Sequence, residues 1–230
     1  MIKNQIISKV KSIILEHANP QRIYLYGSQV NGEAKVGSDI DIAYDDADFK
    51  KDYLIQEDLD KIETLISIDV KNIAKTEDRF KNRVKSTAKI IYSATKKLRA
   101  EDGLYNFINA LDRFDIAIKK EQDLKDEGFG DVYLDLIVKR FEFSYEMAWK
   151  ALKRYLEFLG FDIKSPRDSF KTGYAQNILQ DEAIWLEMIE QRNLSSHIYD
   201  EYQISEILDN VEEYRNAFFK LKERLVVDLI

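Results

Sequence analysis

Near residue 100 of this 230-residue chain the spacing of apolar side chains changes character. Before that point, short β-branched or aromatic runs alternate with helical stripes. The runs 22–26 (Arg-Ile-Tyr-Leu-Tyr), 39–44 (Asp-Ile-Asp-Ile-Ala-Tyr) and 66–73 are bounded by turn residues and read as strands. Residues 2–17 and 52–66 read as helices, with Ile2, Ile6, Val10, Ile13 and Ile14 on one stripe. Beyond residue 100 the strand pattern is lost. Leu104, Phe107, Ile108, Leu111, Phe114 and Ile118 recur at steps of three and four, as do Leu134, Ile137, Phe141, Tyr145, Ala148, Leu152, Tyr155 and Leu159. Ile207, Leu208, Val211, Tyr214, Phe218 and Leu221 repeat the pattern. Helices this long need partners along an apolar face. Ser165-Pro166-Arg167-Asp168 is a helix start, and a shorter helix around 182–196 completes an up-and-down bundle. The expectation is two domains, 1–98 and 99–230, with a soft boundary near 94–103.

Charge supports the division. Residues 1–99 carry 18 Lys/Arg against 15 Asp/Glu, and residues 100–230 carry 17 against 27. The acidic second half is poorly suited to coating nucleic acid, although a local basic site is compatible with it. No cysteine and only two histidines (His17, His197) exclude a disulfide framework, thiolate metal sites and multi-histidine zinc. Any metal must be held mainly by carboxylates, which suits Mg2+ or Mn2+. The N-terminus has no signal-peptide pattern and no apolar run approaches a membrane span, so a cytoplasmic protein without membrane contact is expected.

The first half concentrates chemistry in one loop and three carboxylates. Strand 22–26 runs into Gly27-Ser28, then Gly32; ten residues past Ser28 comes Ser38, followed by Asp39 and Asp41. Glycine lets the chain turn sharply and lets a phosphate approach the main chain, while Ser28 offers a hydroxyl and an N–H. Asp39 and Asp41, two apart on a strand, leave the same face, with Ile40 and Ile42 on the other. Two carboxylates beside a phosphate loop call for a cation between them, the arrangement for magnesium holding a nucleoside triphosphate. Asp69, between Ile68 and Val70, joins them if its strand is a neighbour, as a third ligand or as the base for an attacking hydroxyl.

Gly27-Ser28-x-x-x-Gly32, Ser38-Asp39-Ile40-Asp41 and Asp69 together resemble the minimal nucleotidyltransferase family of the DNA polymerase β type. The resemblance covers roughly residues 1–98. It implies a small mixed sheet backed by helices, and transfer of a nucleoside monophosphate from ATP or another triphosphate with pyrophosphate leaving. It implies phosphate binding by Gly27 and Ser28 and metal binding by Asp39, Asp41 and Asp69. Family members often carry arginines between the loop glycines; here those positions are Gln29, Val30 and Asn31.

The second half holds Arg192, His197 and Tyr199, with Phe143–Lys150 and Ser165-Pro166-Arg167 upstream. Arg192, Ser195, Ser196 and Tyr199 share one helical stripe, whereas His197 lies about 140° from Arg192 on an unbroken helix at ~100° per residue. Either the helix ends near Ser196 or the site forms across a dimer. Arginine can grip a phosphate bidentately and histidine can move protons near neutral pH; an alternative is a structural pair with neighbouring acids. Over roughly residues 102–228 the pattern resembles the nucleotidyltransferase substrate-binding family of the HEPN group. That resemblance implies a homodimerising helical bundle and a metal-independent ribonuclease site at Arg192 and His197 with RNA as ligand. It also implies a toxin–antitoxin-like pairing in which the transferase adds AMP to Tyr199. Trp149 and Trp185 read as core residues, and His17 as a helix end.

Overall fold

The computed structural model describes residues 3–30, 37–195, 207 and 209–230. The chain divides into two compact units, Met1–Thr95 and Lys96–Ile230. The first is an α+β unit around a small mixed sheet and the second is entirely helical.

In the first unit, α1 (Lys3–His17) presents Ile6, Val10, Ile13 and Ile14 from its predicted stripe. They meet one face of a four-stranded sheet made of β1 (Arg22–Tyr26), β2 (Ile40–Tyr44), β3 (Ile68–Asn72) and β4 (Lys89–Ser93), in the order β3-β2-β1-β4. β2 and β3 run parallel, and the other neighbours are antiparallel. Strand alternation sorts side chains between the faces. Ile23, Leu25, Ile40, Ile42 and Tyr44 go under α1 and α2 (Asp52–Leu59), while Tyr24, Tyr26 and Ala43 go under α3 (Asp78–Thr87) with Ile73 and Val84. Full burial of an isoleucine or leucine side chain contributes about 1.5–3 kcal/mol. The same alternation puts Asp41 on the α3 side, opposite the isoleucines that flank it.

Three differences from the sequence reading have local causes. α2 stops at Leu59, not near residue 66. Its last turn is closed by Asp60 and Lys61 turning back on Gln56 and Asp58, and His17 at the end of α1 bonds Asp58 at 2.7 Å. β4 has no counterpart in the sequence reading; it begins on exposed Lys89 and pairs as an edge with β1 across an irregular step between Ile23 and Tyr24. Asp39 lies just before β2, which starts at Ile40, one residue later than the predicted run, and its charge is still felt by Asp41.

In the second unit, α4 (Lys96–Lys119) and α6 (Gly130–Phe158) pack against each other most extensively. Gly103 permits the approach, because a Cβ there would meet the Ala151 Cα at 3.2 Å. α5 (Glu121–Asp126), α7 (Pro166–Ala175), α8 (Glu182–Ser195) and α9 (Val211–Leu229) complete the described helices. The Ser165 hydroxyl caps α7 by accepting from the Asp168 N–H at 3.1 Å, with Pro166 at the first helical position. The core is aromatic. Phe218 of α9 meets the rings of Phe107, Phe114, Phe141 and Trp185, with centroids 5.8–6.5 Å apart. Trp185 is core as expected, but Trp149 is only partly buried and donates its ring N–H to Glu146 at 2.8 Å. Among the described residues no helix is long and apolar enough to cross a membrane.

Candidate active site

The parallel register of β2 and β3 places Asp41 directly beside Asp69, and the antiparallel register of β1 places Tyr26 on the other side of Asp41. Residues far apart in sequence therefore form one row across the sheet. Tyr26 ends β1, and the chain turns at once through Gly27 with φ +74°, a left-handed conformation open to glycine. A Cβ on Gly27 would land on the Asp41 Oδ2, well inside van der Waals contact. The loop is thus seated against the carboxylate, and glycine is required both by conformation and by space. Gly27–Gln29 form one turn of 3-10 helix, not the start of a longer helix.

Gln29 has a role the sequence did not reveal. Its Nε2 donates to the carbonyls of Ser38 (3.2 Å) and Asp39 (2.9 Å), tying the loop to the segment that enters β2. Gln29, in the stretch between the two loop glycines, serves as a backbone clamp.

Negative charge accumulates along the row. Burial raises the Asp41 carboxyl above its ordinary range, and Asp69 and Asp39 raise it further, against the opposing ammonium of Lys71. The Tyr26 hydroxyl is buried, has no hydrogen-bond partner among the described residues, and resists ionisation because of its burial and the charges of Asp69 and Asp41. Lys71, two residues beyond Asp69 on the same face, binds Asp69 Oδ2 at 2.5 Å. Lys71 and Arg83 of α3 lie over the Phe80 ring, which packs edge-on against Tyr26.

These groups can be tested against a divalent cation. The donors are hard carboxylate oxygens, burial and the neighbouring acids raise the Asp41 carboxyl, and the Gly27 turn leaves its carboxylate uncovered by any side chain there. In kind and charge the residues fit. Among the described residues, however, no three acidic or imidazole groups are already gathered closely enough to enclose an ion. Asp41 and Asp69 are brought side by side; Asp39 remains at the strand entrance; Lys71 holds Asp69.

The second constellation is described only in part. Arg192 is half-buried in the last turn of α8, and its charge is felt by Tyr145 and Glu146 of α6. Glu146 is lowered overall: burial opposes ionisation, but Lys150, Trp149 and Arg192 outweigh it. Asp181, an acid shortly before Arg192 in sequence, instead binds Lys220 at 2.7 Å. His197, Tyr199, Asn31 and Gly32 lie outside the described residues.

Comparison with known proteins agrees with this division. Residues 8–97 match the family described as polymerase beta, nucleotidyltransferase, and residues 102–227 match the family described as nucleotidyltransferase substrate binding protein like. A crystal structure of a Thermus thermophilus protein is similar at 30% identity, covering 47% of this chain and 98% of that one, with a TM-score of 0.40. No curated protein matches the chain. The second match spans more than half of the sequence. The chain therefore belongs to the nucleotidyltransferase substrate binding protein like family, with a polymerase beta-type nucleotidyltransferase domain preceding that region in the same polypeptide.

Proposed function

We propose that the N-terminal unit transfers a nucleoside monophosphate, AMP from ATP, to a hydroxyl acceptor, and that the acceptor is Tyr199. The observation that carries this reading is the Asp41–Asp69 pair set in register beside the Gly27 turn. Asp39, Asp41 and Asp69 would hold Mg2+ or Mn2+, which supplies charge neutralisation at the triphosphate when bound. The main-chain N–H groups after Gly27 and the Ser28 hydroxyl bind phosphate oxygens, because the turn brings the backbone close without a side chain in the way. Asp69 accepts the proton of the attacking hydroxyl once Lys71 releases it. The new bond joins the acceptor oxygen to the α-phosphorus, and the bond from that phosphorus to the departing pyrophosphate breaks.

Lys71 supports the reading from another direction. A mobile ammonium next to the carboxylates relieves their repulsion while the triphosphate is absent, and its flexible stem lets it move to a phosphate when substrate arrives. Linking the acceptor to the transferase in one chain raises its effective concentration.

Intact-mass spectrometry after incubation with ATP and Mg2+ tests the proposal. One nucleotide is expected on wild type, and none after EDTA treatment or in Asp41→Asn. Tyr199→Phe is expected to abolish the adduct. An adduct that persists in Asp41→Asn, or metal-dependent transfer to no hydroxyl with any of the four ribonucleoside triphosphates, would overturn it.

A further inference from the structure

Between α7 and α8 the helical unit contains a cavity of about 330 Å3. That volume is typical of small-molecule sites, which span about 300–1,000 Å3. Its lining includes the buried rings of Phe170 and Trp185, which lie 4.9 Å apart between centroids with 32° between their planes. Tyr174 and Leu186, which also line it, are largely exposed, so apolar surface reaches the mouth.

Much of the remaining lining is charged. Arg167 and Lys171 stand four apart on α7, on one helical face, and both line the cavity. Neither makes an ion pair or hydrogen bond among the described residues. Elsewhere in this acidic unit several lysines are matched along their own helices: Lys119 with Asp115, Lys125 with Glu121, Lys139 with Glu142, Lys150 with Glu146. What sets Arg167 and Lys171 apart is that two such cations line one cavity together with aromatic surface. Glu182 also lines the cavity and leaves the three charges with a net of one positive.

We propose that this cavity binds a small organic monoanion built on a flat ring. The ring covers the aromatic surface, and the anionic group reaches Arg167 and Lys171, the guanidinium offering a paired set of donors. A purely apolar ligand would leave both cations idle, and an inorganic anion would leave the rings uncovered. Glu182 disfavours a second negative charge on the ligand. This site is independent of the transfer reaction proposed above, and its test requires no catalysis.

The full-length protein is titrated with 8-anilino-1-naphthalenesulfonate and, separately, with its neutral relative N-phenyl-1-naphthylamine, following Trp quenching and probe emission. Saturable one-site binding of the sulfonate is expected. The double variant Arg167→Ala/Lys171→Ala is expected to weaken it about tenfold or more, with little change for the neutral probe. Both side chains are exposed, so folding is checked by an unchanged thermal melt; Tyr174→Ala, expected to weaken both probes, is a second handle. Benzoate, a monoanion, is expected to compete better than phenyl phosphate, which carries nearly two charges at neutral pH, and the reverse order would overturn the monoanion assignment. Sulfonate affinity unchanged in the double variant would overturn the proposal. So would sedimentation showing a dimer that Leu186→Asp dissociates, because the cavity would then belong to subunit association.

Discussion

The two units spend their aromatic and charged residues differently. The helical unit gathers its rings into one core, with Phe218 touching four others, and pairs many of its charges along exposed helix faces. The sheet unit has a smaller, mainly aliphatic core under α1 and gives the opposite face to Tyr26, Asp41, Asp69 and Lys71. In the first case side-chain volume determines what can change; in the second, backbone conformation and like charge do. A substitution tolerated in one setting is therefore informative about the other.

The most severe test of that contrast is Phe218→Ala. Removing a fully buried ring at the meeting point of four others should cost about 3–5 kcal/mol, read by chemical denaturation. A loss below that of the glycine variant described next would break the contrast. Gly27→Ala should cost about 1–3 kcal/mol from the left-handed backbone and the clash with Asp41, and should also abolish nucleotidyl transfer. If it keeps transfer at the wild-type rate, the loop does not depend on its close approach to the carboxylate. The smallest effect concerns Asp115, which accepts from Arg215 of α9 at 2.5 Å and from Lys119 at 2.6 Å. Burial raises its carboxyl, but these two cations outweigh burial and hold it below the ordinary range. A depressed carboxylate contributes stability above its unfolded pKa and loses it as pH falls through the folded value. Wild type should therefore lose more stability than Asp115→Asn between pH 5 and strongly acidic conditions, as measured by urea melts at stepped pH (about 5 being where such carboxylates begin to titrate). Parallel curves would remove Asp115 from the account.

Much of this was readable in the chain. The α1 stripe, β1, the isoleucines around Asp41 and the Ser165 cap follow from local periodicity and local hydrogen bonding, which sequence expresses directly. The meeting of Asp41 and Asp69 was conditional on strand order, a nonlocal property that only the sheet reveals. The predicted strand begins one residue earlier than β2 because a two-residue period says nothing about where a strand starts. β4 was missed because Lys89-Ile90-Ile91-Tyr92-Ser93 is short and runs quickly into a lysine-rich helix. Gln29 and Lys71 were illegible for another reason. An amide side chain or a lysine shows its purpose only through what stands opposite it, here two carbonyls and a carboxylate. The α7–α8 cavity likewise exists only once two helices are packed.

The parallel pairing of β2 with β3 has one more consequence. A slip of a single residue would exchange faces along β3, turning Asp69 toward the isoleucines beneath α1 and bringing Ile68 or Val70 out beside Asp41. An ionised carboxylate pressed into that hydrocarbon layer would make the misaligned sheet unstable. The acid at position 69 thereby weighs against a misaligned sheet.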